Sequence, residues 1–153
     1  MRAERRTEGR IYQYLELWRE GYLELGTAYV ASGVAEQQES IPSTVLLGLS
    51  YSFVHLYANI LQHLGMPTTP VILNLTIFNV RGCYLAIPAR LAASEEMKER
   101  VWDTDIMKLP PVFVQDLAIE ADSSIRRWND RLWNAFRYER CLALQNDNTV
   151  IAG

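Results

Sequence analysis

The spacing of hydrophobic positions predicts a long helix near the amino terminus, from about residue 2 to residue 34. Apolar residues recur there at steps of three and four, which places their side chains on one side of an α-helix. Two glycines, Gly21 and Gly26, each cost such a helix about 1 kcal/mol relative to alanine, so a kink or a close helix contact is expected. The stripe consists of Ile11, Leu15, Trp18, Tyr22, Leu25 and Tyr29.

A second helix is predicted from about residue 41 to residue 64. Pro42 suits its first turn, where the missing N–H of proline is no loss. Gly65 and Pro67 follow the last apolar residue, which is typical of a helix end. A strand over 44–56 is the alternative, because this part contains β-branched and aromatic residues, but the length of the stripe favours a helix. The stripe consists of Leu46, Leu49, Phe53, Leu56, Ile60 and Leu64.

The period then changes to that of β-strands. Residues 71–80 and 83–87 predict a β-hairpin whose turn contains Arg81 and Gly82. One face of its first strand is apolar, whereas the other is only partly so and contains Ile72, Asn74, Thr76 and Phe78.

The carboxyl-terminal half adds a short helix, a strand and a last helix. The short helix is predicted over 94–102, where acidic residues occupy the first turn. Two prolines at 110–111 interrupt regular structure, and a strand is predicted over 112–121. Residues 122–124 are good N-cap residues for the last helix, whose predicted buried side contains Ile125, Trp128, Leu132, Trp133 and Phe136.

Together these elements predict a single α+β domain over residues 1–144 with a frayed tail over 145–153. Its small antiparallel sheet, made of the hairpin and a further strand, is expected to be packed by three main helices.

The charge balance argues against a general affinity for nucleic acids. The 153 residues contain 18 acidic and 15 basic side chains, for a formal net charge of −3, whereas non-specific nucleic-acid binding depends on an excess of Lys and Arg. A local basic patch on the last helix is the alternative, because Arg127 and Arg131 alternate there with aromatic residues. A core helix with a salt-bridged outer face is the favoured interpretation of that segment.

Motifs for catalysis, metals and cofactors are missing from the sequence. His55 and His63 are eight residues apart, whereas zinc-binding histidine pairs on a helix are usually four apart. Cys83 and Cys141 form no C-x-x-C pair and are expected to be reduced thiols in or near the core. No nucleotide-binding glycine motif or serine-hydrolase elbow occurs. We therefore expect no metal and no cofactor, and a role that is not enzymatic is favoured, with an enzyme as the alternative.

The amino terminus is charged and is not followed by the apolar segment of a signal peptide. No stretch approaches the roughly 20 uninterrupted apolar residues of a membrane span. The sequence therefore predicts a cytoplasmic protein without a membrane partner.

Two segments resemble a bacterial protein region. Residues 130–136 (DRLWNAF), followed by 139–141 (ERC), and residues 75–82 (LTIFNVRG) resemble the C-terminal accessory region of bacterial proteins whose front half is a Schlafen AlbA-type domain, a type associated with DNA or ATP binding. The resemblance implies that this chain is the accessory region and that the AlbA-type domain itself is absent. DNA binding, nucleotide binding or nuclease activity would then belong to the absent domain, and the chain would be an excised domain or a stand-alone relative.

Three hypotheses for function follow from these patterns. The first is a non-catalytic interaction or regulatory module that self-associates or binds another protein through Trp18, Tyr22 and Tyr29, because aromatic residues are enriched in interfaces. The second is a small-molecule sensor or enzyme with a pocket between helices and sheet. Its polar contacts would be His55, Asn74, Thr76 and Tyr84. The third is nucleic-acid contact through Arg127 and Arg131.

Overall fold

The structure is a computed structural model, and it describes residues 2–7, 10–17, 22–27, 40–66, 70–88, 91 and 101–144. Within these residues the chain has two helices and a set of short strands in several small sheets. The elements in chain order are β1 (Arg2–Thr7), β2 (Arg10–Leu17), β3 (Leu23–Thr27), β4 (Ser40–Pro42), α1 (Ser43–His63), β5 (Val71–Leu73), β6 (Thr76–Phe78), β7 (Tyr84–Ala86), β8 (Ile106–Lys108), β9 (Val112–Val114) and α2 (Leu117–Ala135).

The predicted first helix is wrong, because β1, β2 and β3 form a three-stranded antiparallel sheet. The register pairs Leu15 with Leu25 and Glu16 with Glu24. Leucine and glutamate alternate in both strands, so Leu15 and Leu25, two residues of the predicted helical stripe, also satisfy the period of two of a strand. The backbone pairing of β2 with β3 favours the strand over the helix.

The sheet explains why position 26 is a glycine, which the predicted helix would not. It lies directly opposite Tyr14, and a Cβ at position 26 would overlap the Tyr14 ring. The Tyr14 hydroxyl donates a hydrogen bond to a carboxylate oxygen of Glu24 on the neighbouring strand. The ring therefore lies across Gly26 and is held there by Glu24. Cross-strand coverage of a glycine by an aromatic ring is a known way of stabilising sheets.

Helix α1 confirms the predicted second helix, and its end has the geometry that the sequence indicates. Gly65 has a φ of +64°, and its N–H donates to the Gln62 carbonyl over 3.1 Å. The Met66 N–H donates to the Leu61 carbonyl over 2.9 Å. This pair of hydrogen bonds is a Schellman motif, in which glycine is favoured because the residue after the cap is left-handed. At the other end, the Ser43 hydroxyl donates to the Ala86 carbonyl over 2.7 Å and joins α1 to β7.

The predicted hairpin is wrong in its pairing. Strands β5 and β6 pair with β9 and β8, both antiparallel, and β7 pairs with β4 in parallel. The turn at Arg81 and Gly82 directs the chain toward Trp102 instead, because the Gly82 N–H donates to the Trp102 carbonyl over 2.7 Å. The Trp102 N–H donates back to the Cys83 carbonyl over 2.9 Å. The turn at Arg81 and Gly82 was predicted correctly, but β5 and β6 pair with strands far along the chain and not with β7.

The strand predicted over 112–121 ends early, because α2 begins at Leu117 rather than after residue 124. Asp116 is the N-cap, and its carboxylate accepts from the Ala118 N–H over 2.9 Å. A Glu120 carboxylate oxygen accepts from the Gln115 and Asp116 N–H groups over 3.1 and 3.2 Å. These acidic side chains satisfy N–H groups that the first turn leaves free.

The main hydrophobic core lies between α1, α2 and the inner faces of the strands from β4 onward. The five residues predicted for the buried side of α2 are all buried, as are the two free cysteines. The chain is thus α+β as predicted, but the described residues contain two helices instead of three main helices, and several two-stranded sheets replace the single small sheet. Of the predicted helix over 94–102, residues 94–100 lie outside the described residues, and Val101 forms a bridge with Tyr84. The predicted tail over 145–153 also lies outside them.

A buried polar contact sets the position of α2 on α1. The Asn129 amide donates to the Ser50 hydroxyl over 2.8 Å and to the Ile125 carbonyl over 2.9 Å. The Ser50 hydroxyl donates in turn to the Leu47 carbonyl over 2.8 Å. Because a buried amide is costly without partners, this contact favours one register between the helices.

We predict that Asn129→Ala lowers the free energy of unfolding by about 1–3 kcal/mol, because the buried hydrogen bonds are lost and a void is left. Urea unfolding followed by circular dichroism measures the change. Asn59→Ala, at an exposed position of α1, is the matched control and should change stability by less than about 0.5 kcal/mol. Equal effects of the two substitutions would show that the Asn129 contact contributes nothing.

Candidate interaction surface

The outer sides of the β5·β9 and β6·β8 pairs form one exposed surface, which we call the ribbon face. In the register, Ile72 lies opposite Phe113, Thr76 opposite Lys108 and Phe78 opposite Ile106. All of these residues are exposed, as is Asn74 between the two strand pairs. The ribbon face thus consists of Ile72, Asn74, Thr76, Phe78, Ile106, Lys108 and Phe113.

Alternation explains why these side chains point outward. Leu73 and Ile77 are buried on the inner side, so the residues between them must lie on the outer side. The ladder continues between the two pairs, because the Leu109 N–H donates to the Leu75 carbonyl over 3.0 Å. Pro110 and Pro111 have no N–H to donate, so pairing is interrupted there.

The register shifts by one residue across this interruption. The shift moves the buried positions from Met107 and Leu109 to Val112 and Val114, and it keeps Phe113 on the same side as Ile106.

Two arginines of α2 hold the proline segment and β9 in place. Arg131 donates to the carbonyl oxygens of Pro110, over 2.6 Å, and of Pro111. Arg127 donates to the Phe113 carbonyl over 3.2 Å and to the Glu120 carboxylate over 2.9 Å. The arginines therefore occupy backbone acceptors that the prolines and the edge of β9 leave without a strand partner.

The ribbon face is apolar to a degree that is unusual for a solvated surface. Phe78 and Phe113 are each 62% exposed, Ile72 is 55% exposed and Ile106 is 45% exposed. Lys108 is the one charged residue among the seven. Exposed apolar side chains that cluster, as these do in one pair at each end of the ribbon face, mark interaction surfaces more often than isolated ones do, and aromatic residues are enriched in interfaces.

The residues predicted to form an aromatic interface are not placed on one helical stripe. Tyr22 is 56% exposed and directly precedes β3, whereas Trp18 and Tyr29 lie outside the described residues. Because residues 10–17 and 23–27 are strands, the geometric argument that joined these three residues no longer holds.

The residues predicted to line a pocket are distributed over separate elements. Asn74 and Thr76 lie together on the ribbon face, whereas Tyr84 is half-buried on β7. His55 on α1 instead pairs with Asp122 of α2, with 3.2 Å between the His55 Nε2 and a carboxylate oxygen, and its ring lies 4.3 Å from that of Tyr51.

The two arginines predicted to contact nucleic acid are engaged within the chain, as described above. Arg127 also donates to the Ser124 hydroxyl over 3.1 Å. Their positions agree with the favoured interpretation of α2, a core helix with an ion-paired outer side. A nucleic acid would have to compete with these contacts.

The four exposed apolar residues of the ribbon face were missed as a site. The signal was present in the sequence, because the outer face of residues 71–80 is only partly polar. The whole surface could not be predicted from that signal, because Ile106 and Phe113 come from distant segments that the predicted hairpin did not include.

The segments that resemble an AlbA-associated region have structural roles here. The Asp130 carboxylate accepts from the Cys141 N–H over 2.7 Å. The Asn134 amide donates to the carbonyls of Tyr138 and Glu139 over 2.8 and 2.9 Å, and the Trp133 and Tyr138 rings meet edge to face at 5.3 Å. The DRLWNAF segment and the ERC that follows thus form the end of α2 and fold the chain back onto it.

The described residues contain no metal cluster and one long apolar helix. No group of three or more His, Cys, Asp and Glu side chains is arranged there to hold a metal ion. One helix in this part of the chain, α1, is long and apolar enough to cross a membrane by length and composition alone. Core helices of soluble proteins satisfy the same criterion, and α1 packs against α2 here.

Comparison of the chain with known protein families, with curated proteins and with solved structures finds no match.

We predict that Arg131→Met lowers the free energy of unfolding by about 1–3 kcal/mol, because the Pro110 and Pro111 carbonyls lose a charged donor. Arg131→Lys keeps the charge but lacks the planar fork of donors, so it should recover only part of the loss. Thermal unfolding of the three proteins provides the measurement. Wild-type stability in Arg131→Met would mean that the contact with the proline segment is dispensable.

The buried Cys141 thiol predicts a pH dependence of stability. Burial raises the pKa of this thiol from 9.0 to about 11, and the Asp130 carboxylate acts in the same direction. Since the folded state holds the proton more tightly, the thiol stabilises the fold fully below pH 9, and this contribution disappears as the pH rises to about 11.

We predict that Cys141→Ala has a flatter stability profile than the wild type between pH 9 and 11, with a difference on the order of 2 kcal/mol across that interval. Urea unfolding at several pH values measures it. Tyr57→Phe serves as a second variant, because burial also raises the pKa of Tyr57, from 10.0. Parallel wild-type and Cys141→Ala profiles would show that this thiol does not titrate with folding.

Proposed function

We propose that the chain is a non-catalytic interaction module that self-associates through the ribbon face. The observation that supports this most directly is the exposure of Ile72, Phe78, Ile106 and Phe113 on a surface with one charge. This surface takes the place of the aromatic stripe that the sequence predicted for the interface, and the kind of function stays the same.

The ribbon face is also rigidly supported, which favours binding. Its inner side is packed into the core, and Arg127 and Arg131 hold the segment between β8 and β9. A surface that is already ordered loses little conformational entropy when it binds. Preorganisation of this kind lowers the entropic cost of forming an interface.

The size of the surface indicates weak, reversible association. Complete burial of one large apolar side chain contributes about 1.5–3 kcal/mol, and these four are roughly half-exposed in the free chain. Two copies would gain roughly 6–12 kcal/mol. Against a cost of about 4 kcal/mol for lost rotation and translation, the net gain is at most roughly 8 kcal/mol, which corresponds to a dissociation constant of about 1 μM at the tightest. We therefore expect dimers at concentrations between about micromolar and millimolar.

The proposal is compatible with the resemblance to the accessory region of AlbA-associated bacterial proteins. A self-associating module attached to a DNA-associated domain would bring two such domains together and raise their effective concentration. We propose this regulatory role for the chain where it occurs beside such a domain.

We predict that the double substitution Phe78→Ser and Phe113→Ser weakens self-association at least tenfold, because the loss of about 1 kcal/mol or more for each large aromatic side chain buried in the interface adds up to more than the 1.4 kcal/mol of a tenfold change. Sedimentation velocity over a concentration series measures the dissociation constant. The matched control is Ile119→Ser, since Ile119 is 83% exposed on α2 outside the ribbon face.

The control should leave both the fold and the dissociation constant unchanged. A wild-type chain that stays monomeric at millimolar concentration would refute self-association. A dimer that is weakened equally by the control and by the double substitution would show that the ribbon face is not its interface.

A further inference from the structure

We infer that two copies pack ribbon face on ribbon face about a twofold axis that runs between the two faces, perpendicular to the strands. In this arrangement Ile72 of one copy lies against Phe78 of the other, and Ile106 lies against Phe113. The inference rests on the proposed self-association and adds the partner, its orientation and the residues that determine it.

The distribution of side chains along the ribbon is self-complementary, as a twofold interface requires. Each end has one isoleucine and one phenylalanine opposite each other, Ile72 with Phe113 and Ile106 with Phe78. Polar residues lie between the two ends. Reversal of one copy therefore places apolar ends on apolar ends and the polar middle on the polar middle.

The twofold axis could instead run parallel to the strands, and the polar residues distinguish the two cases. The perpendicular axis places Asn74 against Thr76 of the second copy, so that an amide meets a hydroxyl. The parallel axis places Asn74 against Pro110 and Pro111. Those residues have no N–H to offer, and their carbonyls already accept from Arg131. Burial of an amide without partners is costly, so the perpendicular axis is favoured.

The position of Lys108 agrees with this choice. The perpendicular axis places its side chain over the exposed Pro110–Pro111 segment of the second copy, where the aliphatic stem can pack and the ammonium group can reach solvent at the rim. The two Lys108 residues do not lie directly opposite each other, so the one charge on each face does not oppose association.

Chemical cross-linking with single-cysteine substitutions tests the orientation. Ile72→Cys and Phe78→Cys are prepared as separate proteins, mixed and treated with a short bis-maleimide at a concentration where the wild type is dimeric. Each variant keeps three of the four apolar side chains. The wild type is the background control, because Cys83 and Cys141 are fully buried and should not react.

The perpendicular axis predicts that the mixture cross-links at least tenfold more than either variant alone. It brings residues 72 and 78 of different copies together and separates the two copies of residue 72 by about 20 Å, the length of six strand residues. Cross-linking of Ile72→Cys with itself at the same level as in the mixture would overturn the inferred orientation.

A dimer in sedimentation velocity without any cross-link, in the mixture or in either variant alone, would also overturn the inferred packing while leaving self-association intact. Absence of a wild-type dimer would instead refute the proposed function.

Discussion

Burial of one aromatic side of α2 is the constraint on which the rest of this structure depends. Trp128, Leu132, Trp133 and Phe136 are each at most 5% exposed, and α2 packs against α1 and β9. Phe53 of α1 lies near Trp128, and Trp102 lies near Phe136, each pair with ring centroids 6.2 Å apart. Each large aromatic side chain buries 150–250 Å² or so, and this apolar area dominates the energetics of a small core.

The ribbon face is a direct consequence of that packing. With Leu73, Ile77, Met107 and Val112 buried on the inner side of the strands, alternation leaves the intervening residues on the outside. The arginines of α2 then fix the proline segment by hydrogen bonds to its carbonyls. The same helix that organises the core thus also determines the shape of the exposed surface to which we assign self-association.

The helices show how far local pattern suffices for prediction. The spacing of α1 and its glycine stop predicted its extent but not its buried side, because Leu56 and Leu64 of the predicted stripe are exposed. The five residues predicted for the buried side of α2 are all buried. The start of α2 was not predicted, because Leu117 and Ala121 fit a strand as well as a helix until Asp116 and Glu120 are recognised as caps. At the amino terminus Leu15 and Leu25 fit both the helical and the strand period, and there the helical interpretation was wrong. For the candidate site, Asn74 and Thr76 were named, but the apolar residues around them were not.

The sequence by itself therefore determined the extent of α1, α2 after its first turns, the strand-forming character of residues 71–86 and the identity of the buried aromatic residues of α2. Each of these depends on side chains within a few positions of one another. Only the tertiary structure decided that β5 and β6 pair with β9 and β8 and that residues 10–27 contribute two strands of a sheet. Strand pairing joins residues far apart in the chain, and its free energy comes from burial and backbone hydrogen bonds that exist only once both strands are in place. For the same reason Ile72 and Phe113 became one surface only in the folded chain.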